Sequence, residues 1–197
     1  MYRWQTENGE AFLFGRADWE YVLNAFCFGY RVGYKFVRTG TGECNGNFLG
    51  IGADDCNRAV LVEQSAPYGL LIGNGEFTAF HGEDPTMVEV LETNSGVVRF
   101  SNCAFWGPCN QVAKLAGTGT VGFSDCTFVE WAENRAAIQV HDGSVLIKGC
   151  DFRQAKPHLT LEDKVDRAVI VGNLFSGPAQ IRNLCSKDVQ IGLNAAY

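Results

Sequence analysis

Short segments in which apolar and polar residues alternate recur along most of the chain. One phrase recurs with them: LLIGNGEFTA at 70–79, VRFSNCAFWG at 98–107, VGFSDCTFVE at 121–130, VLIKGCDFRQ at 145–154 and AVIVGNLFSG at 168–177. A period of two residues places successive side chains on opposite faces of a strand. The pattern therefore predicts strands across 59–197, and no segment there has the sustained 3.6-residue period of a helix.

The last aromatic residue of each copy sets the register of this repeat. These residues are Phe77, Phe105, Phe128, Phe152 and Phe175, at steps of 28, 23, 24 and 23 residues. An inserted loop, HGEDPT, explains the longest step. A second alternating segment precedes each copy, so one repeat reads strand, link, strand, tight turn, strand. A fixed period of this length favours a stacked solenoid over a β-sandwich, which would not repeat the same residue types, and the LxxLxL spacing of a leucine-rich repeat is absent.

Stacking predicts columns of like residues, because equivalent positions on adjacent coils lie ~4.8 Å apart. The phenylalanines would form a buried ladder, and Cys103, Cys126 and Cys150 a second column continued by Asn173. The preceding positions are Asn102, Asp125, Gly149 and Gly172. These residue types tolerate the left-handed backbone of a sharp turn. We expect an all-β parallel solenoid of about six to seven coils.

The phrases at 98–107, 121–130 and 145–154 resemble the V-x-I-x-N-N-x-F-x-N coil phrase of the pectate-lyase-like superfamily of right-handed parallel β-helices. The resemblance covers roughly 59–197 and extends less clearly to 21–58. It implies a right-handed β-helix and a polysaccharide groove on one sheet. It does not select an activity, because the superfamily includes lyases, glycoside hydrolases, epimerases, tailspikes and non-catalytic binding proteins.

The ends of a solenoid need covering, because they expose strand edges and the apolar interior. We predict that 1–20 is an N-terminal cover or linker and that 21–197 is the β-helix. Residues 17–25, ADWEYVLNA, fit a short helix capped by Asp18, although YVLNAF fits a strand equally well. At the other end VQIGLNAAY stops within an apparent strand, so we expect a further part of a longer chain, or another domain or subunit, to cover it.

Composition narrows the class of function. The 197 residues carry 16 Lys and Arg against 22 Asp and Glu, a net charge of −6, which argues against a nucleic-acid partner. No segment is long and apolar enough to span a membrane. Nucleotide, dinucleotide, serine-hydrolase and zinc-protease motifs are absent. The first ten residues, MYRWQTENGE, lack a signal-peptide pattern. The family resemblance, together with the expectation that the chain is a piece of a longer protein, nevertheless favours an extracellular or cell-surface location.

Eight cysteines allow two interpretations. Cysteine is among the most buried residue types, so the thiols could be free and internal. Alternatively, Cys44 and Cys56, which bracket GNFLGIGA, could form a disulfide in the irregular first part of the chain. No zinc-ligand spacing is present, so no metal site of that kind is expected.

A row of outward-facing residues is the leading candidate for a ligand surface. It consists of the residue between the two inward apolar positions of each pre-phrase strand: Leu61, Glu89, Lys114, Gln139, Thr160 and Arg182. We predict that polysaccharide binds along Glu89, Lys114, Gln139 and Arg182. Trp106 and Trp131 in the flanking loops could stack on sugar rings. The alternative is a solvated sheet face in which Glu89 and Lys114 neutralise each other, with each Trp packed under its own loop.

The catalytic candidates are few. Asp54-Asp55-Cys56 resembles the G-D-D-C phrase of polygalacturonase-type glycoside hydrolases, in which paired carboxylates act as acid and base. The N-T-D, G-H-G and R-I-K phrases of that family are absent, and loop hydrogen bonding is the alternative role. His81 in the inserted loop could titrate near neutral pH. Glu83 and Asp84 offer oxygen ligands for calcium; no other cofactor is expected.

Two functions follow from these observations. The first is a polysaccharide-binding or polysaccharide-processing β-helix module, whether catalytic or not. The second is a non-catalytic stalk or docking surface within a longer or oligomeric protein.

Overall fold

The structure is a computed structural model and describes residues 2–197. It is a parallel β-solenoid of eight coils, preceded by one short helix, α1 (Tyr2–Asn8). Coils 1 to 4 contain β1 (Glu10–Phe14), β2 (Glu20–Leu23), β3 (Phe26–Phe28), β4 (Val32–Phe36), β5 (Gly46–Leu49), β6 (Gly52–Cys56), β7 (Arg58–Val62), β8 (Leu70–Gly73), β9 (Glu76–Ala79), β10 (Thr86–Val90), β11 (Val97–Ser101) and β12 (Ala104–Phe105). Coils 5 to 8 contain β13 (Gln111–Leu115), β14 (Thr120–Ser124), β15 (Thr127–Phe128), β16 (Ile138–Lys148), β17 (Asp151–Phe152), β18 (Leu159–Val171), β19 (Leu174–Phe175), β20 (Ile181–Asn183), β21 (Asp188–Gly192) and β22 (Ala195–Ala196).

Each coil contributes to three faces, and each face is a stack of parallel strands. The first face contains β1, β4, β7, β10, β13, the first parts of β16 and β18, and β20. The second contains β2, β5, β8, β11, β14, the last parts of β16 and β18, and β21. The third contains β3, β6, β9, β12, β15, β17, β19 and β22. The all-β solenoid prediction is confirmed, with eight coils instead of six to seven.

The phenylalanine ladder lies inside the third face. All five of its rings are fully buried, and the strand register pairs each with the next. Neighbouring ring centroids are 4.7–5.4 Å apart. Phe100 and Phe123 form a second stack on the inner side of the second face, with centroids 5.1 Å apart. Its rings meet the ladder edge to face, the arrangement that aromatic quadrupoles favour.

The corner between the second and third faces is built in the same way in every coil. One residue there has a positive φ between 51° and 69°: Asn24, Gly50, Asn74, Asn102, Asp125, Gly149, Gly172 and Leu193. Seven of the eight are Asn, Asp or Gly, as the left-handed region requires. The sharp turn predicted at the four repeat positions is therefore confirmed.

The cysteine column occupies the next position around this corner. Cys103, Cys126 and Cys150 each donate a hydrogen bond from Sγ to the carbonyl two residues earlier, at 3.3–3.4 Å. All eight cysteines are free thiols. The Cys44–Cys56 disulfide considered from the sequence is therefore wrong, because Cys44 precedes β5 on the second face whereas Cys56 ends β6 on the third.

The first coil begins at Glu10, eleven residues before the boundary expected at 21. β1 pairs with β4, and the inward rings of Phe12 and Phe14 stack on Tyr34 and Phe36 at 4.9 and 5.2 Å. Residues 20–23 form strand β2, so the strand interpretation of YVLNAF is confirmed and the helix considered over 17–25 is wrong. Of the helices and strands in residues 2–197, α1 alone lies outside the stack, and Trp4 on it is 66% exposed.

At the other end, β20, β21 and β22 form the eighth coil and pair only with β18 and β19. Its inward residue Ile191 is 45% exposed. Within residues 2–197, no helix is both long and apolar enough to cross a membrane.

Candidate functional site

Three side chains from distant parts of the sequence meet at the corner between the third and first faces. The buried carboxylate of Asp55, at the end of β6, accepts a hydrogen bond at Oδ1 from Nδ1 of His81 and at Oδ2 from the hydroxyl of Tyr2. His81 follows β9, which lies beside β6, and Tyr2 begins α1. The bond to the Asp55 carboxylate, together with burial, raises the pKa of Tyr2 to about 12.

The backbone around this cluster holds the side chains in place. Asp55 has a φ of 55°, and its amide N donates to Thr78 Oγ1 at 2.8 Å. Asn57 donates from Nδ2 to the carbonyls of His81 and Glu83 at 2.6 and 2.8 Å, so it ties the inserted loop to the coil before it. His81 is therefore fixed through both its main chain and its ring.

The carboxylates of Asp54 and Asp55 are both engaged in hydrogen bonds within the protein. Asp54 accepts a hydrogen bond from Thr78, and both oxygens of Asp55 are engaged by His81 and Tyr2. A glycoside hydrolase needs two carboxyl groups that flank a bound sugar. Asp55 is only 4% exposed, so it acts on a ligand only through the groups that it holds.

A cavity of about 540 Å³ opens beside this cluster. Helix α1 forms one wall, and residues of three coils form the rest. The lining side chains include Tyr2, Arg3, Glu7, Arg31, Asn57, His81 and Glu83. The cavity is of the size that typically encloses a small ligand.

The row of outward residues on the first face is present as predicted. The strand register aligns Leu61, Glu89, Lys114, Gln139, Thr160 and Arg182 in that order, and Lys35 extends the row by one coil. Thr160 and Arg182 also line a cavity of about 420 Å³ at the far end of the face. Leu61 is 9% exposed, so it contributes little surface to the row.

Three of the four charged residues of this row form ion pairs, but not with each other. Glu89 binds Arg58, Lys114 binds Asp84, and Lys35 binds Glu10 and Glu63 at 3.1 and 3.0 Å. The Glu89–Lys114 pair considered from the sequence is therefore replaced by pairs with neighbouring residues. Gln139 donates to Glu162 at 2.9 Å. The face therefore presents many polar groups, and Arg182 is the one charged member of the row without an ion pair among residues 2–197.

Asp84 in the inserted loop bonds to basic and amide groups. Its carboxylate receives Lys114, Arg135 at 3.3 Å and Asn110 at 2.9 Å. Burial works to raise the pKa of Asp84, but the hydrogen bonds from Lys114 and Asn110 outweigh it and lower the pKa. Within residues 2–197, no group of three His, Cys, Asp or Glu side chains is arranged to hold a metal ion.

The two tryptophans proposed for sugar stacking lie away from the row. Trp131 is 1% exposed and donates from Nε1 to the Pro157 carbonyl at 2.9 Å, so the prediction that it offers a ring to a ligand is wrong. Its ring packs against Phe152 and His158. Side chains do not alternate in a loop, so the sequence pattern could not show this. Trp106 is 40% exposed, but it donates to Glu76 of the third face at 3.1 Å.

Sequence reasoning did not single out Tyr2, Arg31 or Asn57. Asn57 directly follows the Asp54-Asp55-Cys56 phrase, so its position was a usable signal. Tyr2 carried no such signal, because its role depends on how α1 folds back over the third coil.

Comparison of the chain with protein-family models, with curated proteins and with solved structures finds no match. Its function must therefore be inferred from the fold and from the geometry of the site.

Proposed function

We propose that the first face binds an extended, uncharged polysaccharide. The observation that carries the proposal is the aligned outward row, with one side chain per coil from Lys35 to Arg182. Successive members are separated by the strand spacing of ~4.8 Å. A pyranose unit of an extended glycan advances by a similar length, so successive sugars would meet successive coils.

The pairing of charges supports a neutral ligand over an anionic one. The ion pairs at Glu89 and Lys114 leave carboxylate and ammonium groups that can still share hydrogen bonds with hydroxyl groups. A polyanion would instead need a surplus of basic side chains, whereas the whole chain carries a net charge of −6.

The resemblance of the coil phrases to the pectate-lyase-like superfamily also supports this class of ligand, together with a right-handed coil and an extracellular or cell-surface location. A processing activity, by hydrolysis or elimination, belongs to the same proposal. A calcium ion held by Glu83 and Asp84 would have to compete with Lys114 and Arg135 for the Asp84 carboxylate.

The decisive experiment compares glycan binding by two matched double variants. Thr160→Ala with Arg182→Ala removes a hydroxyl and a cation from the first face. Ser124→Ala with Lys148→Ala removes the same chemistry from the outer side of the second face. On an array of neutral and acidic glycans, we expect the first variant to lose about tenfold or more in affinity for a neutral polysaccharide, and the second to retain it.

Absence of binding to any neutral glycan, or equal binding by both variants, would reject this function. Assays for new reducing ends and for unsaturated uronates on the bound glycan decide whether the chain also processes it.

A second candidate function is a docking module. The second face exposes Tyr21, Leu23 and Leu49 at 68%, 62% and 45%, and these residues line a groove of about 640 Å³. Contiguous apolar surface of this kind favours contact with another subunit or domain. Analytical ultracentrifugation of the chain and of Leu23→Lys tests it: a dimer or higher oligomer that the variant abolishes supports docking.

A further inference from the structure

The cavity beside α1 is separate from the aligned row and has its own chemistry. It is lined by His81, by side chains of α1 and by the polar residues Arg31 and Asn57. The inserted loop joins the two regions, because His81 faces the cavity and Asp84, three residues later, binds Lys114 of the row.

The protein leaves one ring nitrogen of His81 available to a ligand. Nδ1 is bound to the Asp55 carboxylate, whereas Nε2 has no hydrogen-bond partner among residues 2–197. A carboxylate at Nδ1 selects the imidazole that carries its hydrogen there. In the neutral ring Nε2 is then an acceptor with its lone pair free.

The ring is held in place before any ligand arrives. Asp55 is buried in a left-handed conformation and uses both carboxylate oxygens to hold His81 and Tyr2. The Tyr2 ring meets the imidazole edge to face, with centroids 5.6 Å apart. Asn57 fixes the loop on the other side. Groups fixed in this way lose little freedom on binding, which favours affinity.

The charges around the cavity favour a ligand rich in hydroxyl groups. Arg3 is paired with Glu7 at 2.9 Å, and Arg31 is paired with Glu10. The basic side chains are therefore balanced by carboxylates. The half-exposed Tyr2 ring adds an apolar surface of the kind on which a sugar ring packs.

We propose that this cavity binds a neutral sugar unit, one of whose hydroxyl groups donates a hydrogen bond to Nε2 of His81. The inference rests on the proposed function for its class of ligand, but it concerns a different surface. Asp55 is a positioning residue here, and His81 is the contact.

Methyl glycosides of neutral hexoses are suitable probes, because one sugar unit is too short to span the row on the first face. In the ligand-free protein, ¹⁵N spectra of the histidine rings should show the Nδ1–H form for His81. On titration with methyl glycosides, the Nε2 signal of His81 should shift. His158, which is buried and has both ring nitrogens bonded, should not respond.

Two variants complete the test. His81→Gln should weaken binding of the methyl glycoside by about tenfold, the fold-change for one lost hydrogen bond. Tyr2→Phe keeps the ring beside the imidazole and removes the bond to Asp55, so it should retain most of the affinity. Melting curves show whether each variant is folded.

The inference is overturned if the Nε2 chemical shift of His81 does not change with any methyl glycoside. It is also overturned if His81 carries its hydrogen on Nε2 in the ligand-free protein. With neutral hexasaccharides, the part of the affinity that is lost in the Thr160 and Arg182 double variant but kept in His81→Gln reports on the first face. Loss of one response with survival of the other therefore identifies which of the two proposals has failed.

Discussion

Asp55 and His81 are 26 residues apart in the chain, yet the buried carboxylate of one binds Nδ1 of the other. The contact exists because β6 and β9 are neighbours in the third face, and both side chains leave that face at the same corner. The inserted loop then carries His81 toward the cavity. Stacking thus turns a strand residue of one coil and a loop residue of the next into one rigid unit.

Replacement of Asp55 by Asn should show what this contact contributes to stability. Asn also tolerates a φ of 55°, so the change removes the charge and leaves the backbone in place. We expect a loss of about 1.5–3 kcal/mol in the free energy of unfolding, because hydrogen bonds to a charged group are lost. Urea denaturation measures it. Asp125→Asn, at an exposed position with the same φ of 55°, is the matched control and should change stability by less than about 0.5 kcal/mol.

The aromatic ladder should dominate the stability of the middle coils. Phe128→Ala opens a cavity between Phe105 and Phe152 and should cost about 3–5 kcal/mol. Phe28→Ala, where the ring is 50% exposed, should cost far less. Thermal and urea denaturation of the two variants provide the comparison. Similar losses for both would mean that the ladder is not the main source of cohesion.

Among the eight positive-φ residues at the corner between the second and third faces, Leu193 is the one whose side chain disfavours its backbone conformation. Its φ is 55° and its side chain is 88% exposed, so it gains little packing in return. Leu193→Asn should relieve about 1 kcal/mol of strain. Amide exchange at Ala195, whose N–H bonds to the Asn173 carbonyl, should slow accordingly. Leu174→Asn, an exposed strand residue in the preceding coil, should give no such gain.

Thiol accessibility should separate one cysteine from the other seven. Seven cysteines are buried and Cys185 is partly exposed. The contact with Cys126, together with burial, raises the pKa of Cys103, and burial raises the pKa of Cys109 to about 12, so neither forms a thiolate near neutral pH. In the native protein a thiol reagent should label Cys185 alone, and Cys185→Ser should remove that signal. Labelling of all eight should require unfolding.

His158 should make the fold sensitive to acid. The imidazole is buried, accepts the Gln180 N–H at Nδ1 and donates to the Gln154 carbonyl, so burial lowers its pKa. In the unfolded chain His158 has the ordinary histidine pKa of about 6.5, so it takes up a proton more readily than in the folded protein. The stability that the neutral His158 contributes should therefore be fully present above about pH 6.5. Below that pH the free energy of unfolding should fall by at most about 1.4 kcal/mol per pH unit.

The unfolding free energy of His158→Gln, measured over the same pH range, should lack this contribution to the slope. Equal slopes for the variant and the parent protein would contradict the assignment to His158.

The repeat was readable from the sequence wherever the ladder residue is phenylalanine. In coils 1 and 2 the same register position holds Cys27 and Ala53, so the phrase disappears although the strands still stack. The outward row followed from alternation alone, because strands impose a period of two. Alternation could not place Trp131, which lies in a loop, nor could it foresee that Asp55 and His81 would meet, since that depends on the path of both corner loops. The contribution of Tyr2 depends on the packing of α1 and leaves no local trace in the sequence.

The inserted loop at 81–86 has a consequence for how such a scaffold can change. Phe77 and Phe105 are 28 residues apart and Phe105 and Phe128 are 23 apart, yet both pairs of ring centroids are separated by 5.4 Å. The strand register places three of the five extra residues at this bend and the other two in the link between β10 and β11. Both additions therefore lie outside the paired strands, and the expectation that the loop alone explains the long step is corrected. Loops of other lengths and compositions could be grafted at this bend, and specificity could then evolve, or be engineered, without any adjustment of the hydrophobic interior.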